Sequence, residues 1–151
     1  MPPPDPSPAS APITVLAFDF GTRRIGVAVG NTLTRNAQPL ATLEAPTADE
    51  RLAAAVSLVA QWSAGCVVVG VPVHADGTPH AMTRRASAFA RDLAARVRVP
   101  VEHADERHTT ALAQDRLSAQ RAGRGGRATR DAVAAQLILQ GWLDARERQS
   151  S

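Results

Sequence analysis

The chain has 151 residues, a formal net charge of +3, 44% hydrophobic and 21% charged residues; this suits one domain with a real core and excludes two ordinary domains closing over a cleft. Only five residues are aromatic (Phe18, Phe20, Trp62, Phe89, Trp142) and none is Tyr, which argues against a single-strand binder built on rows of stacked rings. The single cysteine, Cys66, excludes an intrachain disulfide and a cysteine-cluster metal site, and the longest uncharged apolar stretch, Ala64 to Val73, has ten residues where a membrane span needs about 20.

Residues 1–12 (MPPPDPSPASAP) hold six prolines, no base and no apolar segment. They predict a disordered, polyproline-like tail without the parts of a signal peptide, on a cytoplasmic protein. The domain is expected over 13–147, with a second disordered tail at 148–151.

From Ile13 the pattern is that of strands. ITVLAFDF puts Val15, Ala17 and Asp19 on one face and Leu16, Phe18 and Phe20 on the other. Gly21-Thr22-Arg23-Arg24 reads as a turn, IGVAVG (25–30) as a second strand and PLATLE (39–44) as a third, a meander of two hairpins. Thr47 and Glu50 have capping-box spacing and open a helix that turns Leu52, Val56, Val59 and Ala60 to the core and stops near Ser63 to Gly65. CVVVGVPV (66–73) is a continuous β-branched run, expected of a central strand covered on both faces, and Cys66 at its start reads as small core filler.

Asp76-Gly77-Thr78-Pro79 predicts a turn and a helix start, followed by an apolar stripe of Met82, Ala86, Phe89, Ala90, Leu93 and Val97 with Arg84, Arg85 and Arg91 outside it. VPVEHADE (99–106) gives a fifth strand, and a further helix begins at Thr109 or Thr110. AGRGGRA (122–128) is a loop, and Thr129 is expected to cap a last helix with Val133, Ala134, Leu137, Ile138, Gly141 and Trp142 on its apolar side. Three antiparallel strands followed by αβαβαα describe an α/β fold: a mixed five-stranded sheet, antiparallel then parallel, with helices on both faces.

Acidic residues stand at three special places: Asp19 near the end of the first strand, Asp105-Glu106 at the end of the fifth, and Asp131 in the first turn of the last helix. Each alone has a structural reading, since Asp caps turns and answers the helix dipole. Only one of Asp105 and Glu106 can share a face with Asp19. Carboxylates within ~4 Å at an effective dielectric of 20 repel by ~4 kcal/mol per pair, so a converging trio implies a cation. Oxygen donors suit Mg²⁺ or Mn²⁺, and two such ions can cleave a phosphodiester.

All 17 basic residues are Arg, and from Arg116 to Arg130 five of them (116, 121, 124, 127, 130) occur without an acid, interrupted by Gly123, Gly125 and Gly126. Codon bias alone can produce such a loop; beside carboxylates it also suits a phosphate backbone, which planar guanidinium groups bind well. The candidate nucleic-acid contacts are Arg23, Arg107, Arg121, Arg124, Arg127 and Arg130. His74, His80, His103 and His108 lack metal-ligand spacing, although His108 could shuttle a proton. There is neither GxSxG nor a P-loop.

The segments FDFGTRRIGVAVG (18–30), AQPLATLE (37–44), VVVGVPVHADGT (67–78), ADERHTT (104–110) and RDAVAAQLIL (130–139) together resemble the YqgF (RuvX) family, pre-16S rRNA nucleases and Holliday junction resolvase-like proteins of the RNase H superfamily. The resemblance runs from about Leu16 to Arg146. It implies an RNase H-like fold and metal-dependent cleavage, with Asp19 as the first catalytic Asp, Glu106 as the Glu of the DER segment and Asp131 as the Asp of the last helix. His108 departs from the usual apolar residue, and His74-Ala75 from the usual Asn-Met. The expected activity is an endonuclease in which the trio holds two Mg²⁺ or Mn²⁺, leaving 5′-phosphate and 3′-hydroxyl ends. Its partners would be pre-rRNA, branched DNA or ribosomal particles, and the protein a monomer or homodimer. Two other readings stand beside it: an assembly or transcription factor that binds RNA without cutting, and an actin-like phosphate hairpin at DFGT (19–22), which the single-domain length disfavours.

Overall fold

The computed structural model describes residues 11–71, 81–105 and 127–150. Strands β1 (Thr14–Asp19), β2 (Ile25–Asn31) and β3 (Ala37–Leu43) form the antiparallel meander. Helix α1 (Ala48–Gln61) leads into β4 (Cys66–Val71), parallel to β1; α2 (Ala81–Arg96) leads into β5 (Val101–Asp105), parallel to β4. Helix α3 (Arg127–Ser150) closes the described chain. The sheet order is β3-β2-β1-β4-β5.

Burial follows this order. Val15, Leu16, Ala17 and Phe18 of the central strand β1 are fully buried, because both faces of the sheet are covered. Leu16, Phe18, Ile25, Val27, Val67 and Val69 pack with α1 and α2 on one face. Val15, Ala17, Ala28, Cys66 and Val68 pack with α3 on the other. The alternation expected for β1 and the helices on both faces are therefore observed. The edge strand β3 begins two residues before Pro39 and carries the sheet's irregularity there: Val27 pairs with Ala41 and Ala28 with Pro39, so Leu40 is the extra residue. An edge bulge tolerates a proline that cannot donate to the ladder.

Helix α1 starts as expected, with Glu50 N donating to Thr47 Oγ1 (3.1 Å) and Thr47 N to Glu50 Oε2 (3.2 Å). Ala60, expected in the core, is exposed, and Ala55 and Arg51 are buried instead. In α2 the expected stripe is buried or half-buried, with Arg84, Arg85 and Arg91 exposed.

The last helix departs most from expectation. It starts at Arg127, so Thr129 is its third residue and not its cap. It also runs to Ser150, past the boundary expected at Glu147, because Arg, Glu and Gln continue a helix where no Gly or Pro stops it. Its buried side is wide, including Ala132, Val133, Ala135, Gln136, Leu139, Gln140 and Leu143, whereas Ala134 and Leu137 are only half-buried. The floor beneath it is made of small β2 residues: a Cβ on Gly30 would stand 3.1 Å from Leu139 Cδ2 and 3.2 Å from Leu143 Cδ1. Gln136 Nε2 donates to Ala37 O (2.8 Å), while Ala37 N donates to Gln140 Oε1 (3.0 Å). These two glutamines thus supply the backbone of β3 with partners that would otherwise be missing inside the core.

The expected tail at 1–12 falls almost wholly outside the described residues; Ala11 and Pro12 are exposed. The further helix expected from Thr109 or Thr110 also lies outside them. Among the described residues no helix is long and apolar enough to cross a membrane.

Candidate functional site

Asp19 closes β1 on the face that α3 covers, two residues beyond Ala17. Its Cα partners are Gly26 on β2 and Gly70 on β4. Both flanking positions lack a side chain, and the backbone of α3 occupies the space above Gly26. The next position across the sheet is Ala104 on β5, paired with Gly70 and packed on the same face.

Asp131 comes to this corner from α3. A Cβ built on Gly26 would collide with the Asp131 carbonyl group and stand 3.1 Å from Ala132 N. The helix backbone at Asp131 therefore rests directly on the strand residue paired with Asp19. Asp131 is the fifth residue of α3, beyond its first turn. This corrects its expected position and weakens the capping explanation, because the dipole's effect falls off within that turn.

The turn between β1 and β2 supplies a cation. Arg24 Nε donates to Asp131 Oδ2 at 2.7 Å, with the two side chains 32% and 28% exposed. The turn is tight: a Cβ on Gly21 would meet Arg24 O at 2.5 Å. From the opposite face of the sheet, Arg51 of α1 holds the same turn by Nη2 donating to Thr22 O, while its Nη1 donates to Ala45 O in the connection from β3 to α1, both at 2.8 Å. Arg51 is buried, and its Nε has no hydrogen-bond partner among the described residues.

Arg23 and Arg130 are exposed beside this corner. Arg127 begins α3 and Asp105 ends β5, but their side chains are not described. Glu106, Arg107, His108, Arg121 and Arg124 lie outside the described residues, as do His74 and His80. Among the described residues, no group of three or more His, Cys, Asp or Glu side chains could hold a metal ion; the expected trio includes Glu106. The described donors, Asp19 and Asp131, are hard carboxylates, and a guanidinium already stands at one of them. That chemistry fits Mg²⁺ or Mn²⁺.

Sequence reasoning named Arg23 and missed Arg24, Gly26 and Arg51. A signal existed for the first two: period-two alternation puts Arg24, Gly26, Ala28 and Gly30 on one face, with glycines marking close approach by another element. Arg51 had none, since it is a charged residue in a helix with otherwise ordinary amphipathic spacing.

Cys66 lies at the opposite end of β4. Burial, aided by the adjacent Glu102 carboxylate, pushes its thiol up to about 12. Its Sγ donates to Glu102 Oε2 at 3.5 Å, so it is an inert core thiol, as expected.

Comparison with known proteins places this geometry. The chain matches the RuvX family, described as Holliday junction resolvase, over residues 13–145. A protein of Dechloromonas aromatica named "Putative pre-16S rRNA nuclease" is 51% identical over 135 residues, covering 87% of this chain and 91% of its own. One of the same name from Paraburkholderia phytofirmans is 44% identical over 91% of this chain and 92% of its own. Among solved structures, Thermus thermophilus RuvC in complex with a Holliday junction substrate superposes with a TM-score of 0.60 at 18% identity, covering 89% of this chain and 96% of that one. Fowlpox virus resolvase, bound to Holliday junction DNA, superposes at 0.56 with 7% identity, covering 89% and 99%. These two likenesses establish the RNase H-like fold.

Proposed function

We propose, from the premise that the chain belongs to the RuvX family, that it is a metal-dependent endonuclease acting on precursor 16S rRNA. The observation that carries the proposal is that the Asp131 backbone rests on Gly26, the strand partner of Asp19. Two acids from distant parts of the chain share one corner with a basic turn, which suits an anionic backbone better than it suits stability.

Asp19, Glu106 and Asp131 would hold two divalent ions, Mg²⁺ or Mn²⁺. Of Asp105 and Glu106, Glu106 is taken because it matches the Glu of the family's DER segment; it lies outside the described residues. When bound, such cations neutralise phosphoryl charge and supply an activated water. The protein's own groups orient the substrate: Arg23 and Arg130 at the corner, with Arg107, Arg121, Arg124 and Arg127, engage phosphates without reading bases. Cleavage would leave 5′-phosphate and 3′-hydroxyl ends. The protein would work in the cytoplasm on RNA, alone or within ribosomal particles.

Junction DNA is the second reading, favoured by the description of the matching family. The deciding experiment incubates the protein with precursor 16S rRNA and with a four-way DNA junction, with Mg²⁺, with Mn²⁺ and with chelator. Metal-dependent cutting of the RNA supports the first reading, and cutting of the junction alone supports the second. Binding of RNA without cutting under every condition would leave a non-catalytic assembly factor.

A further inference from the structure

Arg24 is joined to a carboxylate that the proposed function assigns to a divalent ion. The contact runs from Nε to Oδ2 at 2.7 Å, and about a third of each side chain is open to solvent, so the pair is not locked in the core. The turn that carries Arg24 is held by the close approach of Gly21 to Arg24 O and by the Arg51 bond to Thr22 O. Asp131 is fixed from below by Gly26. Two rigid elements therefore present a guanidinium to the oxygen where a metal ion would bind.

We propose that Arg24 is the built-in counter-ion of this site: it holds Asp131 while no divalent cation is bound, and it competes with the cation for the Oδ2 position. The inference rests on Asp131 being a cation ligand. A cation entering the site displaces Arg24, whose anchored turn keeps the released guanidinium at the rim, where it meets a substrate phosphate. One residue thereby lowers the affinity for metal alone and raises it once a polyanion takes the guanidinium. Arg23, its exposed neighbour, carries the same charge without that bond.

Manganese alone, without nucleic acid, is titrated by calorimetry into the full-length protein and into Arg24→Gln, Arg23→Gln and Asp131→Asn. An exposed ion pair is worth up to ~1 kcal/mol, so Arg24→Gln is expected to bind Mn²⁺ about two- to fivefold tighter than wild type. Arg23→Gln should change affinity less, and Asp131→Asn should lose binding. Equal tightening by Arg23→Gln and Arg24→Gln would reveal a general field effect and overturn the proposal. Unchanged or weaker binding by Arg24→Gln, with Asp131→Asn still losing it, removes Arg24 as competitor and leaves Asp131 as ligand. Absence of Mn²⁺ binding by the wild type overturns both the metal reading and the counter-ion.

A second measurement needs no substitution. Saturating Mg²⁺ should shift the Arg24 Nε–H resonance of the wild-type protein and speed its exchange with water. A resonance unmoved by Mg²⁺ overturns the proposal whether or not Arg24→Gln folds.

Discussion

Gly26 lies directly beneath the carbonyl group of Asp131, so the β2 residue paired with Asp19 is also the floor on which α3 rests. The contact is backbone on Cα, and neither side can swing away as a side-chain tip could. Gly26→Ala must lift the helix at Asp131, a residue that the proposed function assigns to the site. Overpacking of this kind costs about 1–3 kcal/mol. A melting temperature lower by about 3–10 °C is therefore expected, together with reduced cleavage. A melting curve superimposable on wild type would show that α3 stands off the strand.

Arg51 of α1 makes two charge-assisted bonds, one to Thr22 O in the β1–β2 turn and one to Ala45 O in the connection from β3 to α1. Arg51→Met fills similar volume but leaves both carbonyls without their donor, at about 1–3 kcal/mol. Amide hydrogen exchange should rise at Gly21 to Arg24, and Arg51→Lys should restore protection only in part, because an ammonium lacks the planar fork. Unaltered exchange across the turn in Arg51→Met would remove Arg51 from the support of the site.

Much of the fold was legible because its determinants are local. The Thr47–Glu50 capping box and the β1 alternation depend on residues a few positions apart, and both form as read. The last helix was misread at its start and on its buried side because its partners are remote. It lies on the small-residue stripe Gly26-Ala28-Gly30 and hides Gln136 and Gln140, whose amides serve the backbone around Ala37 and Arg35. No spacing within α3 announces that two glutamines belong inside. The same holds at the candidate site: Asp19 and Asp131 could be nominated from their places in the chain, but the seating of Asp131 on the strand partner of Asp19, and the bond from Arg24, exist only through the sheet register.

The chain has no Tyr and no Lys, so Cys66 is the one side chain that titrates between about pH 9 and pH 12. Its folded value, about 12, is raised above the ordinary 9.0, mainly by burial. The folded state therefore holds the thiol proton more tightly than the unfolded state. The resulting stabilisation is complete below pH 9 and is lost as the pH rises toward 12. Chemical denaturation of the wild type should show stability falling across that window, and Cys66→Ala should flatten the fall. A thiolate absorbance appearing near pH 9 in the folded protein would contradict the burial argument.

The arginine- and glycine-rich segment 116–130 is expected to supply affinity without sequence choice. Replacing Arg121, Arg124 and Arg127 with Ala should reduce the log–log salt slope of binding by about 0.7–0.9 for every phosphate that is no longer neutralised, hence by about 2–3 if each of the three arginines engages one. Nucleic acids of unrelated sequence should weaken alike. A slope that stays at the wild-type value would move the binding surface to another part of the chain, such as exposed Arg84 and Arg91.

Asp131→Asn separates a structural carboxylate from a catalytic one. Asp131 lies beyond the first turn of α3, so the helix dipole has little to lose. The ion pair with Arg24 does have something to lose, and for a pair this exposed the cost is at most ~1 kcal/mol. The variant should therefore fold, with a melting temperature within about 4 °C of wild type. If the carboxylate ligates the ion that stabilises the transition state, cleavage should fall at least about a hundredfold, equivalent to ~2.7 kcal/mol of barrier. Binding of nucleic acid without metal should survive or strengthen, because every arginine remains and Arg24 has lost its carboxylate partner. A folded Asp131→Asn protein that cuts at a rate near wild type would leave Asp131 as no more than an anchor for the Arg24 turn.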